Sequence, residues 1–355
     1  MTKNSILLLL LFGGILGCDG APAEEVPYEE DLGLAQMDWH KLKYQDPFLY
    51  VLGDKDGLWR ADVEESAVEW EFLGQTNSSG TTHGQRSRLR TVIHNESDHS
   101  NLIASRDLEC CESVPVIHET TDRGELWTAV EGLSFLDSGF LNHHGASDFF
   151  LVDGAIVGMG PTAVLRGNFL EGFAIFPEAY NTVFARSPAA TDQFWSGGTK
   201  FFNHGQAALP LGYSVDGGHS WVRPTNPPPN PEELLGVSSI GLGSDPSRVY
   251  LGIHGLREVQ SLFTSADLGE SWTSLQPGSS RCCRLVAASS VTRGLVWASE
   301  GDTLYTSHDS GESWDVTEVD GQLLDEIIDL EPSSTRDEIF VLTTTGVYRH
   351  RENRP

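Results

Sequence analysis

The sequence predicts an all-β protein in which four-stranded sheets are repeated around a single ring. Three observations predict this fold. The 355 residues include 37 glycines and 17 prolines, which suits many short strands joined by tight turns. A segment of eight residues with Asp, Gly and Trp at fixed positions occurs four times, and a pair of short apolar strands occurs seven times.

The first residues of the chain are typical of a secretory signal peptide. Lys3 precedes an unbroken apolar run over residues 6–12, which is too short to span a bilayer. The segment Ile-Leu-Gly-Cys that ends at Cys18 resembles a bacterial lipobox. This resemblance implies a signal peptide over residues 1–17, a lipid on Cys18 and a place in the bacterial cell envelope, facing the periplasm or the cell exterior. The alternative is an ordinary secretory peptide that leaves Cys18 as a free thiol.

Residues 18–36 are acidic and contain Ala, Gly and Pro, so we interpret them as a tether between the lipid and a folded domain over residues 37–355. The formal net charge of the chain is −28. Such a field repels nucleic acid and anionic lipid surfaces, so nucleic acid is excluded as a partner and membrane contact is expected only through the lipid. No motif predicts a cofactor or a metal site.

The repeated eight-residue segment has the form Ser/Thr-x-Asp-x-Gly-x-x-Trp. Its side chains suit a tight turn, because Ser, Thr and Asp hydrogen-bond the backbone and Gly permits a positive φ. The Trp is expected to fill space between neighbouring sheets. The Asp and Trp positions of the four segments are Asp122, Trp127, Asp216, Trp221, Asp267, Trp272, Asp309 and Trp314.

These segments resemble the Asp-box, or bacterial neuraminidase repeat. The resemblance implies a β-propeller in which each box joins the third and fourth strands of a blade. It also implies a structural role away from the ligand, so the box Asp residues are not expected to be catalytic.

The spacing predicts seven four-stranded blades. Successive box Asp residues are 94, 51 and 42 positions apart, so the first interval contains one blade without a clear box. The seven strand pairs give about 46 residues per blade, near the usual propeller repeat. Six and eight blades are the alternatives. The chain ends just after the third strand of the last blade, and a segment within residues 22–36 is a candidate for the missing fourth strand.

Ligand binding is expected on the face opposite the Asp-box turns, by analogy with other propellers. The turns between second and third strands lie there, together with the links between blades. The candidate ligand-binding residues are Arg86, Arg88, Arg90, His204, His254, Arg281 and Arg284. The alternative is that these are surface histidines, and arginines paired with the abundant carboxylates.

Four further cysteines form two adjacent pairs, Cys110-Cys111 and Cys282-Cys283. An even number in an oxidising compartment predicts disulfides. We expect each residue to bond its neighbour, because the two pairs lie in blades far apart and a bridge needs α-carbons within about 7 Å. Bridges between the pairs, a soft metal held by four thiolates, and partial reduction are alternatives.

The resemblance favours binding over catalysis. The chain is similar to sialidases only in its boxes and lacks their early Phe/Tyr-Arg-Ile-Pro motif, and xyloglucan-cleaving glycosidases normally carry two such propellers. It is most similar to single propellers of the photosystem II assembly-factor and sortilin type, which implies a non-catalytic scaffold that binds a protein, peptide or glycan. The alternatives are a glycoside hydrolase and a metal or redox role for the cysteine pairs.

The lipid anchor is tested by Cys18→Ser. We expect this variant to leave the membrane fraction and to incorporate no labelled fatty acid, because the acyl chains supply the membrane affinity. Fractionation and fatty-acid labelling of both proteins measure this. A variant that stays with membranes, beside a wild type without label, would contradict the anchor.

Overall fold

The computed structural model describes most of the chain from residue 28 onward. The described residues are 28–34, 39–53, 57–65, 67–74, 88–95, 98–107, 117–130, 148–152, 155–159, 164–166, 179–200, 209–229, 234–255, 260–278, 283–317 and 324–352. All of their regular elements are β-strands. None of these residues forms a helix of the length and apolarity that a membrane crossing needs.

The described strands fall into seven consecutive antiparallel groups. The first three are β2 (Trp39–Gln45), β3 (Phe48–Gly53), β4 (Leu58–Asp62) and β5 (Glu71–Phe72); β6 (Arg88–Asn95), β7 (Asp98–Asp107), β8 (Ile117–Thr120) and β9 (Thr128–Ala129); and β10 (Asp148–Val152), β11 (Ala155–Met159) and β12 (Val164–Arg166). The next two are β13 (Ala179–Arg186), β14 (Phe194–Lys200) and β15 (Leu211–Ser214); and β16 (Leu234–Leu242), β17 (Val249–Gly255), β18 (Gln260–Ser265) and β19 (Thr273–Leu275). The last two are β20 (Leu285–Ala288), β21 (Val296–Glu300), β22 (Thr303–Ser307) and β23 (Asp315–Thr317); and β24 (Ile327–Pro332), β25 (Glu338–Thr343) and β26 (Val347–Arg351), with β1 (Tyr28–Asp31) beside β26.

The first strands of the groups make a closed ring. In order they are β2, β6, β10, β13, β16, β20 and β24, each of which contacts the next, and β24 contacts β2. The fold is therefore a β-propeller, as the sequence predicts. A single pairing of Thr199 with Gly236 joins the fourth and fifth groups into one continuous sheet. The number of blades in the whole chain stays a prediction.

The first and last parts of the chain meet in one sheet. β1 pairs with β26, Leu32 N donates to Val347 O at 2.9 Å, and Trp70 Nε1 of the first group donates to Leu32 O at 2.8 Å. Arg349 forms an ion pair with Glu30. Residues 28–34, near the end of the predicted tether, therefore pack against the ring, and β1 lies within residues 22–36, the predicted source of the missing fourth strand. The remainder of the predicted tether and the signal peptide lie outside the described residues.

The apolar core lies between neighbouring groups. One cluster joins the last group to the first and includes Leu42 and Phe340, both with no exposed surface. Another joins the first group to the second and includes Leu58 and Val92, which are equally inaccessible. Because strand faces alternate with a period of two, each strand supplies side chains to the interfaces on both sides of its sheet.

The four Ser/Thr-x-Asp-x-Gly-x-x-Trp segments form turns of one kind, hereafter the Asp turns. In the turn after β18, Ser265 Oγ donates to Asp267 Oδ1 at 2.7 Å and accepts from Gly269 N at 2.8 Å. Asp267 Oδ1 also accepts from Ser271 N at 2.9 Å. Equivalent bonds surround Asp122, Asp216 and Asp309.

The Ser and the Asp of an Asp turn have different environments. Ser265 is buried and Asp267 is exposed. Hydrogen bonds from Ser271 and Ser265 stabilise the charged form of Asp267 and lower its pKa to about 2. The turn thus uses a buried hydroxyl at its centre and an ionised carboxylate at its surface.

The Gly and Trp of the Asp turns pack against the preceding group. A Cβ on Gly124, whose φ is +87°, would lie 1.9 Å from Leu73 O, so the two backbones approach too closely for any side chain. Trp127 Nε1 donates to the same Leu73 O at 3.3 Å, and Trp272 Nε1 donates to Asn226 O at 2.9 Å. At these places the turns connect adjacent sheets.

Ser265→Ala should lower the free energy of unfolding by about 1–3 kcal/mol, because the buried Gly269 N–H loses its acceptor. The matched control is Ser274→Ala, which removes an exposed hydroxyl of β19 outside the turn. We expect it to change stability by at most about 0.5 kcal/mol. Urea denaturation at pH 7 measures both, and equal losses would contradict the central role of the buried hydroxyl.

Candidate functional site

The first strand of each group presents an edge to the centre of the ring, and this edge is unpaired except where Gly236 of β16 pairs with Thr199. Its inward N–H and C=O groups need partners other than a neighbouring strand. Between the last and first groups, carboxylates supply them. Asp329 Oδ2 accepts from Leu42 N at 2.8 Å, and Glu331 Oε1 accepts from Tyr44 N at 3.0 Å. β24 and β2 are therefore held side by side without a β-ladder.

Neutral side chains satisfy inner edges elsewhere in the ring. Gln45 Nε2 donates to Val92 O at 2.7 Å, and its Oε1 accepts from His94 N at 2.8 Å. Ser239 Oγ accepts from Val286 N at 3.0 Å. The carboxylates of β24 differ from these groups because they bring negative charge into the channel.

Asp148 is the centre of a buried charged cluster. Lys41 Nζ lies 3.0 Å and Lys43 Nζ 3.4 Å from its carboxylate oxygens. Thr91 Oγ1 and Phe149 N donate to Asp148 Oδ1 at 2.6 Å and 2.9 Å. Burial acts to raise the pKa of Asp148, but the two ammonium groups and the Thr91 bond hold it below its usual range. Asp148 is therefore a fully bonded anion.

Glu331 lies beside this cluster with fewer partners. Burial raises its pKa to about 7, and the nearby charges of Asp329 and Asp148 act in the same direction against the effect of Lys43. Burial likewise raises the pKa of Asp329. Three carboxylates thus share the channel with the two ammonium groups of Lys41 and Lys43. The third carboxylate is costly to ionise without another cation.

A cavity of about 670 Å³ occupies the channel next to these residues. One part of its wall is polar and charged and includes Lys43, Gln45, His94, Asp148, Glu331 and Ser333. The other part is apolar and includes Phe150, Phe184, Ile240, Leu242, Val286 and Ala288. The cavity is therefore amphipathic, with its charged wall on the first, second, third and seventh groups and its apolar wall chiefly on the fourth to sixth.

An aromatic cluster forms part of the apolar wall. The rings of Phe150 and Phe184 are 5.6 Å apart, and Phe184 stacks on Phe194 at 5.3 Å. Lys43 Nζ lies 4.3 Å from the centre of the Phe150 ring, a distance that suits a cation–π contact. Lys43 is thus held between Asp148 and Phe150.

His94 lies at the charged wall as a neutral group. Its Nδ1 is 2.9 Å from Tyr50 Oη, and its ring stacks on His99 at 4.7 Å. Burial lowers its pKa to about 4, with His99 and Arg60 acting in the same direction. At neutral pH His94 therefore adds no positive charge to the cavity.

The cavity lies at the end of the channel that faces the Asp turns. Ser310 N donates to Gly294 O at 2.8 Å, and Gly217 N donates to Asp192 O at 2.8 Å. These bonds join Asp turns to the hairpins between first and second strands, so both lie on one face. The same hairpins supply lining residues, namely Asp46, Pro188, Ser290 and Ser334.

The predicted ligand residues that the structure describes lie at the other face. Arg88 and Arg90 lie at the start of β6, His254 near the end of β17, and Arg284 just before β20. Burial lowers the pKa of His254, and the positive charge of Arg284 acts in the same direction. The two arginines of β6 are in the second group, away from this pair. Arg86, His204 and Arg281 lie outside the described residues, so this face stays a prediction.

Among the cysteines, the structure describes only Cys283. It is buried, has a φ of +113° and is disulfide-bonded. Its partner lies outside the described residues, as do Cys18, Cys110, Cys111 and Cys282. The predicted pairing of neighbours therefore stays a prediction. Across the part of the chain that the structure describes, no cluster of three or more His, Cys, Asp or Glu residues is arranged to hold a metal.

The residues of the charged wall were not among the predicted site residues. A signal for them exists, because Lys41 and Lys43 are two positions apart on one first strand, and Asp329 and Glu331 are two positions apart on another. Residues at this spacing share a strand face. Such charged pairs lie on strands that are otherwise apolar. They indicate a charged wall once those strands are known to line a channel.

Comparisons with known proteins agree with the fold. No protein-family model matches the sequence, and no curated protein matches it. Among solved structures, YCF48 bound to D1 peptide has a TM-score of 0.60 and 17% identity over 94% of this chain and 99% of that chain. An ancestral GH74 enzyme has a TM-score of 0.63 and 11% identity over 90% of this chain and 45% of that chain.

The GH74 xyloglucanase of Xanthomonas campestris matches less well, with a TM-score of 0.45 and 15% identity over 94% of this chain and 55% of that chain. The chain thus spans about half the length of the GH74 enzymes. At these identities the similarities show a propeller fold and do not identify an activity.

Glu331→Gln should change how stability depends on pH. Folding favours protonated Glu331, with a pKa of about 7 against 4.5 in a model peptide. Stability from this group is therefore present below pH 4.5 and is lost as the pH rises through about 7. We expect the wild type to lose at most about 3 kcal/mol relative to Glu331→Gln between pH 4.5 and 8.

Urea denaturation across this pH range measures the difference. The control is Glu312→Gln, which changes an exposed glutamate outside the channel and should give a difference that does not vary with pH. Parallel curves for the wild type and Glu331→Gln would show that Glu331 ionises as freely in the folded protein as in the unfolded chain.

Proposed function

We propose that this protein is a non-catalytic binding propeller, attached to the bacterial envelope through lipid on Cys18, that recognises a protein by a peptide segment. The amphipathic channel cavity carries this proposal. Its volume of about 670 Å³ is in the range of ligand sites, which combine mostly apolar walls with a few placed polar groups. A peptide segment offers both kinds of group.

The bonding of the cavity carboxylates favours binding over catalysis. Asp148 is occupied by Lys41, Lys43 and Thr91. Glu331 accepts from the backbone of β2. Asp148 therefore has both oxygens occupied, whereas each member of a catalytic carboxylate pair must be free to exchange a proton or to attack substrate.

The extent of the structural similarity supports the same proposal. The chain matches YCF48, solved with a D1 peptide, over nearly the whole of both chains. It matches less than half of the ancestral GH74 enzyme. A single propeller of this size is therefore a sufficient frame for a peptide-binding protein, in line with the expectation from the Asp-box resemblance.

The opposite face is a second part of the proposal. His254 and Arg284 lie there, with Arg88 and Arg90 on another group. A partner larger than the cavity would extend through or around the channel to reach them. The other predicted residues of that face, Arg86, His204 and Arg281, are proposed on the sequence alone.

A glycoside hydrolase is the second candidate function. The observation that favours it is that Asp148 and Glu331 line one cavity while their surroundings move their pKa values apart, as in an acid and base pair. The substrate would be an envelope or environmental polysaccharide.

The proposal is tested by selecting a random heptapeptide display library on the purified protein, beside a glycan array. We expect enriched peptides to bind the wild type and to bind Ser334→Trp at least about tenfold more weakly, because the indole blocks the mouth of the cavity. Ser274→Trp, on the exposed outer strand β19, is the matched control and should bind normally.

Three outcomes would contradict the proposal. Glycans bound without any enriched peptide would assign a different ligand. Enriched peptides unaffected by Ser334→Trp would move the site away from the cavity. Polysaccharide hydrolysis abolished by Glu331→Gln would replace binding with the glycosidase function.

A further inference from the structure

Of the six carboxylate oxygens of Asp148, Asp329 and Glu331, one has no hydrogen-bond donor among the described residues. Asp148 Oδ1 accepts from Thr91 and Phe149, and its Oδ2 faces Lys41 and Lys43. Both oxygens of Asp329 are also occupied, by Leu42 N and Leu330 N.

Glu331 differs from both aspartates. Its Oε1 accepts from Tyr44 N, and within the described residues its Oε2 has no hydrogen-bond donor. Glu331 borders the cavity and is partly exposed. A carboxylate oxygen that faces a cavity without a donor is an acceptor for an incoming polar group.

The cations around the cavity already have partners. Lys43 is held by Asp148 and the Phe150 ring, and Arg186 Nε donates to Thr191 O at 2.9 Å. His94 is neutral, as described above. At Lys43 an anionic ligand would therefore have to displace an existing ion pair, whereas beside Glu331 a cation finds an oxygen without a donor.

The wall across the cavity fits the carbon atoms that surround such a cation. Phe184, Ile240, Leu242 and Val286 line it, and Phe184 belongs to the stacked aromatic cluster. Long basic side chains bury an alkyl stem against apolar surface while the charged end reaches a polar partner.

We infer that the channel cavity binds a basic side chain of a peptide, with its ammonium or guanidinium group paired with Glu331 and neighbouring apolar residues of the peptide against Phe184, Ile240 and Leu242. This inference rests on the proposed peptide-binding function and names the chemistry of the peptide.

Two properties of the protein support a cationic ligand. The formal net charge of −28 attracts basic partners over distances longer than a contact and speeds their encounter. A second cation near Glu331 also offsets the repulsion among the three channel carboxylates, which otherwise favours the protonated form of this side chain.

The experiment uses the peptides enriched by the full-length wild-type protein. We expect Lys or Arg between apolar or aromatic residues in most of them. Replacing that basic residue by norleucine, which keeps the alkyl chain and removes the charge, should weaken binding to the wild type at least about tenfold, the minimum cost expected for breaking a buried charge pair.

The same substitution is then measured on Glu331→Gln and on Glu312→Gln. On Glu331→Gln the loss should shrink to less than about threefold, because the charge partner is gone, while the amide oxygen still accepts from Tyr44 N. On Glu312→Gln, which changes an exposed glutamate outside the channel, the full loss should remain. Urea denaturation establishes that both variants are folded.

The outcomes separate this inference from the proposed function. Peptides that bind the cavity but show no basic residue, or whose norleucine penalty is as large on Glu331→Gln as on the wild type, overturn the inference and leave the binding function standing. A library from which no peptide is enriched overturns the proposed function together with the inference.

Discussion

The unpaired inner edges of the first strands are the constraint on which the rest of this structure depends. A sheet can pair each first strand on only one side, and the ring leaves the other side facing the channel. Backbone groups in such a place must find partners. The protein supplies them from side chains of the adjacent first strand, such as Asp329 and Glu331 to β2 and Gln45 to β6. The ring of first strands is thus joined by side chains, apart from the one backbone pairing of Thr199 with Gly236.

This solution creates the chemistry of the channel. Where the bridging group is a serine or a glutamine, the edge is satisfied without charge. Where it is a carboxylate, negative charge enters a confined space, and Lys41, Lys43 and Asp148 accompany it. Both lysines form ion pairs with Asp148, and Glu331 has neither of them as a hydrogen-bonded partner. The carboxylates of this cluster therefore outnumber its cations. The same residues that close the ring therefore leave an acceptor facing the cavity.

The outer part of the propeller is held by a different device. Each Asp turn is stabilised by its own Ser or Thr and Asp, while its Gly and Trp pack on the preceding group, as at Gly124 and Leu73. β1 pairs with β26 and so completes the last group, although nearly the whole chain separates the two strands. These contacts hold neighbouring groups together, so the charged residues of the first strands keep their positions around the channel.

The sequence by itself determined the parts of this protein that depend on residues close together in the chain. The Asp turns could be predicted because Ser265, Asp267 and Gly269 form their bonds within five positions, and the strand pairs because their apolar runs repeat. The ring followed from that repetition. For the last strand, the sequence indicated only a segment within residues 22–36. The reason is that β1 and β26 are separated by nearly the whole chain, and their pairing leaves no local pattern.

Only the tertiary structure decided the candidate site. Lys43, Asp148 and Glu331 come from three different groups. In the sequence, each of them is an ordinary charged residue of a strand. Their meeting depends on the order in which first strands adjoin and on the face that each presents to the channel. Local hydrogen bonds are encoded by neighbouring residues, whereas an electrostatic cluster is a property of distances between remote ones. For this reason the turns could be predicted from the sequence and the charged cavity could not.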